Sequence, residues 1–346
     1  MPQSVRAGRE GDVLAVVSLT GPTVSFHDAA TDRHLGTTEL AAEPHELCFD
    51  PVQRLLWCST PYFSGNYHTN TGRRSDLTIL DADTRRVVEI VDLAPEHGPH
   101  GLALDAARGR LYVSVEGSAD RPGGVVVIDT ATRRPLGRID TDAPVPHWFA
   151  LSPDGTTGYA TNKEAPFVSV VDLGAGTLTA KIEVPGSEGL ALSPDGARLY
   201  VAAPHAGLGA PGEQRPEPGI RVIDTRTLRV AGTLPTQDVV LPVHTTVDGT
   251  LLVGETRREP GPGGGQAPGH LTVFTADGHR RGGLEVGRLP LTLTSSPDGR
   301  IGYVAAIGSS TVDIVDLTSL ERLARLDVPR RGETGAHGMA YLPRAV

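Results

Sequence analysis

Aromatic side chains are scarce, with Phe, Trp and Tyr making up 4% of the 346 residues. That is too few for the stacking platform on which single-stranded nucleic acid is held. The formal net charge of −9 would repel a phosphate backbone rather than gather it. Nucleic acid is therefore not an expected partner. No apolar run approaches the length of a membrane span, and the opening "MPQSVRAGREGDVLAVVSL" lacks the basic-then-apolar order of a signal peptide. A cytoplasmic protein without membrane contact is the expectation. Cysteine is nearly absent. Cys48 and Cys58 fall on consecutive strands of one expected hairpin in a register the sequence leaves ambiguous, and they read as reduced thiols. Lysine occurs only at Lys163 and Lys181, against 30 Arg, a bias that suggests GC-rich coding rather than a binding task.

Glycine and proline, by contrast, are abundant (42 and 28 residues), and the apolar runs between them are short. Many strands joined by many turns are expected. The chain also repeats itself. "LALSPDGARLYVAA" (190–203), "FALSPDGTTGYATN" (149–162) and "LTSSPDGRIGYVAA" (293–306) each read strand, tight turn, strand. In Pro-Asp-Gly the proline presets φ and the glycine accepts a positive φ. A second hairpin follows each unit, as in "GVVVIDTATRRPLGRI" (124–139) and "IRVIDTRTLRVAGTL" (220–234). There Asp129, Asp172, Asp224 and Asp316 end a strand and can accept turn amides, which is turn chemistry rather than catalysis.

Four antiparallel strands, A to D, make a propeller blade. Strand A begins near residues 45, 100, 147, 188, 243, 291 and 337, at spacings of 41 to 55 residues. The C-terminal "AHGMAYLP" offers a strand A and then stops, while the N-terminal segment supplies strands B, C and D but no A. The two ends complete one blade together, which closes the ring and removes its sheet edges. The expectation is all-β: a single seven-bladed β-propeller domain spanning residues 1–346.

These segments, "SPDGARLYVAA" and "VIDTRTLRV" above all, resemble the YVTN-type β-propeller repeat family over nearly the whole chain. The resemblance implies the fold and is almost silent on function. The family includes surface proteins, redox-enzyme subunits and lactonase-like or lyase-like members, so the site has to come from the residues.

Aligned on strand A, His45, His100, His147 and His337 share one register, and Glu188 occupies it in the fourth blade. The shortened fifth blade puts Val243 in register with His244 one residue later, and the sixth has Leu291. Strand A lines the central channel and starts at the face carrying the D–A and B–C loops. Four imidazoles from adjoining blades would therefore share one arc of the channel mouth, opposite a largely apolar wall. Neutral imidazole suits Fe, Cu, Zn or Ni, and ligands leaving one side open suit a catalytic ion. Carotenoid-cleaving oxygenases offer an analogy, iron held by four histidines in a seven-bladed propeller, though their motifs are not found here. A strand-mouth histidine can instead be architectural, bonded to the next blade's backbone. His27, His34 and His279 lie in C–D hairpins and are expected to face solvent, whereas His97 is on the face of the cluster.

Long insertions fall between strands B and C at 61–76, 116–124, 204–219 and 255–270, on that same face. The first carries Tyr62, Tyr67 and His68, suited to capping a pocket. Glu116, Asn162, Glu164 and Glu255 stand near the rim, where each is ordinarily a solvated loop residue. The residues thus point to a small-molecule enzyme doing oxidative or lyase chemistry, of the kind used in specialised metabolism. A transition metal, Fe or Cu before Zn, would sit on His45, His100, His147 and His337, with Glu188, His244 and Tyr62 as the catalytic set. The alternatives are a metal-free acid–base lyase or lactonase, and a non-catalytic scaffold that binds a protein partner through its B–C loop face.

Overall fold

The computed structural model describes residues 10–65, 69–203, 217–259, 265–331 and 335–345. Among them are 28 strands in seven four-stranded antiparallel sheets. The closing sheet joins the two ends of the chain: β1 (Val13–Ser18), β2 (Thr23–Asp28) and β3 (His34–Glu39) are completed by β28 (Ala336–Leu342). Blade 1 follows with β4 (Leu47–Asp50), β5 (Leu55–Tyr62), β6 (Arg73–Asp81) and β7 (Val87–Asp92). Blade 2 is β8 (Leu102–Asp105), β9 (Arg110–Val115), β10 (Gly124–Asp129) and β11 (Arg134–Asp140). Blade 3 is β12 (Pro146–Leu151), β13 (Thr157–Asn162), β14 (Phe167–Asp172) and β15 (Thr177–Glu183). Blade 4 is β16 (Leu190–Leu192), β17 (Arg198–Ala203), β18 (Gly219–Asp224) and β19 (Arg229–Pro235). Blade 5 is β20 (Val239–Thr245), β21 (Leu251–Thr256), β22 (Pro268–Phe274) and β23 (Arg280–Arg288). Blade 6 is β24 (Pro290–Ser295), β25 (Ile301–Ala306), β26 (Thr311–Asp316) and β27 (Glu321–Asp327). The closing sheet is blade 7. The chain is an all-β, seven-bladed propeller.

Strand periodicity builds the ring. In β1, Val13, Ala15 and Val17 pack toward blade 1, while Leu14 and Val16 pack toward blade 6. Successive side chains of a strand point to opposite faces, so a second strand buried on both faces cements two neighbours at once. Seven apolar clusters fill the seven blade-to-blade junctions. The outermost strands, such as β7 and β19, are mostly exposed. Closure is by main-chain pairing, with Val13 opposite Leu342 and Val16 opposite Met339.

The turn assignments hold. Asp154 and Asp195 accept backbone amides of their own turns, at 3.1 Å from Thr156 and 3.0 Å from Ala197. Asp129 and Asp224 accept at 2.7 Å from Thr132 and Thr227. Cys48 pairs with Trp57 and Cys58 with Leu47, so the two thiols point to opposite faces of blade 1 and both are free. His34 and His279 are exposed as expected. His27 is not. It is buried at the end of β2, where its Nε2 lies 3.3 Å from Ser25 Oγ. The hairpin's polarity concealed that its last inner residue pairs with Leu14 of a fully buried strand.

Candidate metal centre at the channel mouth

At the mouth of each innermost strand the backbone bulges. His45 N–H donates to Ser59 O at 2.8 Å and Ser59 N–H donates to Glu46 O at 3.0 Å, so two residues oppose one. His100 and Gly101 share Ser114 in this way, and Glu188 and Gly189 share Ala202. In blades 3, 5 and 7 the register shifts at the same place, over His147, Leu241 and His337. A bulge re-aims a side chain that a regular strand would send between the sheets. This is why the imidazoles meet.

The residue after the bulged position sets how closely the blades approach. Gly338 N–H donates to His45 O of the next blade, Gly101 N–H to His147 O and Gly189 N–H to Leu241 O, at 2.9–3.0 Å. A Cβ at any of the three would collide with that carbonyl. In blades 1, 3, 5 and 6 the position holds Glu46, Trp148, Pro242 and Thr292 instead of glycine.

The structure brings His45, His100, His147 and His337 together, all buried. Ring centroids lie 4.2 Å apart for His45–His337, 4.9 Å for His45–His100 and 5.2 Å for His100–His147. His45, His100 and His147 can each offer a nitrogen within 4.8 Å of the others, and so can His45 and His337 with a carboxylate oxygen of Glu46. Every ring faces a carboxylate. His100 Nε2 is 3.1 Å from Glu116 Oε1, and His147 Nδ1 is 3.4 Å from Glu188 Oε1. Glu46 Oε1 stands 3.2 Å from His337 Nδ1 and 3.6 Å from His45 Nδ1. Both Glu46 Oε1 and His45 Nδ1 are buried without an aligned hydrogen-bond partner, an expense that buried polar groups rarely carry unless something else binds them.

Charge follows burial. Loss of hydration, then the neighbouring His337, pushes the His45 imidazole down to about 3. Burial, with His100 and Lys163 nearby, holds His147 well below its usual value. Both are neutral at pH 7 and keep a lone pair for a ligand bond. Burial would raise the Glu46 carboxyl, but the facing His337 and His45 outweigh it and hold it at about 2.

Tyr62 and Arg73 are cross-strand partners in blade 1, and both reach Glu116 in blade 2. The Tyr62 hydroxyl donates to Glu116 and lies 3.2 Å from His100 Nε2, while Arg73 Nε is 2.7 Å from Glu116 Oε2. Gly98, at φ +61°, leaves the space that the Glu116 side chain occupies. His97 contributes through its carbonyl, which accepts the Glu116 amide at 3.0 Å. Tyr67 and His68 lie outside the described residues, as do most of the third long loop and residues 260–264 of the fourth.

His244 does not join the cluster. The bulge between Val240 and Val243 makes Leu241 the fifth blade's counterpart of the histidines, where Val243 was expected. His244 therefore falls three residues further down the strand, where its Nε2 meets Ser295 Oγ at 2.9 Å. Asn162 and Glu255 are structural: Asn162 donates to Phe167 O and Ser169 Oγ, and Glu255 accepts the amides of Gln237 and Asp238. Two participants escaped the sequence reading. Glu46 is a carboxylate where sister blades have glycine, and that substitution was its signal. Lys163, 3.4 Å from Glu188, carried none beyond the rarity of lysine.

Beside the cluster a cavity of about 170 Å³ opens between His45, His147, His337, Lys163 and Glu188 on one side and Leu241, Leu289, Leu291 and Ile307 on the other. Among the described residues neither thiol joins the histidines: Cys58 and Cys48 pack into the apolar clusters on either side of blade 1.

No family model matches the chain. The uncharacterized protein YncE of Salmonella typhimurium is 28% identical over 214 residues, which are 61% of this chain and 53% of that protein. The match thus spans about half the length of that relative. The seven-bladed beta-propeller protein Rv1057 of Mycobacterium tuberculosis is 26% identical over 92% of this chain and 72% of its own. The name of Rv1057 and the seven sheets agree. Among solved structures, a functionally unknown protein from Desulfotomaculum acetoxidans superposes with a TM-score of 0.70 at 12% identity, covering 97% of this chain and 100% of that one. Kuenenia stuttgartiensis hydrazine synthase superposes with a TM-score of 0.66 at 19% identity, over 84% and 88%. At such identities these likenesses concern the fold alone.

Proposed function

We propose that the protein is a small-molecule enzyme that works with a first-row transition ion at the channel mouth. His45, His100 and His147 would supply the ligand nitrogens, with His337 grouped beside His45 through the shared Glu46 carboxylate. One observation carries the reading: the bond that stitches blade to blade at this slot runs main chain to main chain and is made equally by Leu241. The architecture does not need an imidazole there, yet adjoining blades supply four and set a carboxylate against each. Carboxylates that orient ligating histidines are the usual outer layer of a metal site. In His100 the Nε2–H donated to Glu116 leaves Nδ1 as the ligand nitrogen.

An all-imidazole and carboxylate donor set favours Fe or Cu, with Zn next, and such an ion would supply redox or Lewis-acid chemistry. The chain's own residues would do the rest. Glu188, held between His147 and Lys163, can take or return a proton at the cavity edge. The leucine wall would exclude water. The Tyr62–Glu116–His100 hydrogen bonds would fix one imidazole in orientation and tautomer. The YVTN-type repeat is the relationship most consistent with the sequence, and a cytoplasmic location goes with the reduced thiols.

Elemental analysis of protein expressed in medium supplemented with Fe, Cu and Zn tests the proposal. About one ion per chain, removed by a chelator and restored by one of the three metals, is expected. Protein that is metal-free and cannot be loaded with any of them would overturn it.

A further inference from the structure

The cavity has two unlike walls, and their chemistry limits what can enter. One wall is hydrocarbon: Leu241, Leu289, Leu291 and Ile307. The opposite wall ends in the Lys163–Glu188 pair, whose members are unequally covered, with 32% of the lysine side chain exposed and 8% of the glutamate. An entering molecule meets the ammonium first. The chain has two lysines. Lys181, the other one, pairs with Asp142 on the surface. A compact ammonium with three rotatable donors can hold Glu188 and still donate to a second anion, where a planar guanidinium would commit to one fork.

We infer that the cavity takes a small monocarboxylate with an apolar body, its carboxylate at Lys163 and its hydrocarbon part against Leu241, Leu289, Leu291 and Ile307. A dianion such as a phosphate monoester is disfavoured, because Glu188 lies 3.4 Å from the lysine nitrogen and would repel the second charge. The inference rests on reading the mouth as a substrate site, but not on the metal.

Trp148 lines the cavity, whereas Trp57, the second tryptophan, is fully buried between blades 1 and 2. Tryptophan emission of the full chain, kept metal-free with chelator, therefore reports occupancy. Hexanoate, hexan-1-ol and hexylamine are titrated separately, then acetate, butyrate and hexanoate as a series. Hexanoate should give a saturable change at an affinity at least about tenfold above the alcohol and the amine. Affinity should rise by about three- to fourfold per methylene along the series, as expected of buried CH₂ groups. Lys163→Met and Lys163→Gln should both lose the carboxylate preference while keeping the native circular dichroism spectrum, with a lower melting temperature because Glu188, 8% exposed, loses its cation. No saturable change, tightest binding by hexylamine, or a preference unaltered in both variants would overturn the inference. Hexanoate binding by a protein that takes up no metal would defeat the metal reading and leave this one standing. Metal uptake without hexanoate binding would do the reverse.

Discussion

The channel mouth has two arcs built on one backbone plan. On one, blades 7, 1, 2 and 3 set His337, His45, His100 and His147 at the bulge; on the other, blades 5 and 6 set Leu241 and Leu291. The stitch from Gly338 to His45 O on the first arc is the stitch from Gly189 to Leu241 O at the edge of the second. Geometry is therefore common to both and chemistry is not. A repeat fold can hold a slot constant by main-chain bonds and vary what the slot carries, so slot and side chain can be perturbed separately.

The largest effect should come from removing what both arcs share. Deleting residues 335–346 strips blade 7 of β28 and exposes the edges of β1 and of its neighbours' packing. Soluble, folded protein should be lost, as read by expression yield and size-exclusion chromatography. A monodisperse truncation with native circular dichroism would refute ring closure by the termini.

Acid should separate the arcs next. His45, lowered to about 3, and His147, lowered well below its usual 6.5, are neutral when folded and protonate first in the unfolded chain. Their contribution to the metal-free protein is full above pH 6.5 and is lost as pH falls toward their folded values. Each histidine titrating only in the unfolded state adds a slope of about 1.4 kcal/mol per pH unit. Glu46, depressed to about 2, adds loss of the same sign below pH 4.5. Urea midpoints between pH 7 and 4 should fall steeply in wild type and less steeply in His45→Leu. Equal slopes would mean the imidazoles are not desolvated.

Filling a stitch should cost both arcs alike in stability but only one in metal. Gly338→Ala and Gly189→Ala each push a methyl into a carbonyl of the next blade, at about 1–3 kcal/mol. Only Gly338→Ala displaces a histidine, so only it should also weaken metal uptake measured by isothermal titration calorimetry. The smallest change expected is Glu116→Gln, which keeps the fold and lowers metal affinity about 10- to 100-fold by loosening His100.

Much of this was legible in the sequence for a physical reason. Pro-Asp-Gly turns and alternating runs repeat because each blade must make the same hairpins, so the fold, the shared edge blade and the His45, His100, His147 and His337 register could all be read. What stayed hidden depends on geometry without a local mark. The two-residue bulge between Val240 and Val243 moved the blade 5 slot to Leu241 and took His244 out of the site. Glu116 acts across a blade boundary, and strand periodicity does not encode which neighbour a rim carboxylate will face; Glu46 was marked only by standing where Gly101, Gly189 and Gly338 stand in other blades.

The central claim, that the imidazoles serve a bound ion rather than the architecture, is tested most directly by converting one arc into the other. His45→Leu and His147→Leu place in each slot the side chain that Leu241 shows the backbone accepts. Melting curves of wild type and both variants, metal-free and metal-loaded, form one measurement. Metal should raise the wild-type melting temperature and leave both variants where they are, because an ion that binds only the folded state stabilises it by mass action. Without metal, the variants should melt at or above wild type, since leucine relieves a buried polar cluster. Variants that melt well below wild type by the same margin with and without metal would show that the histidines are structural and contradict the account.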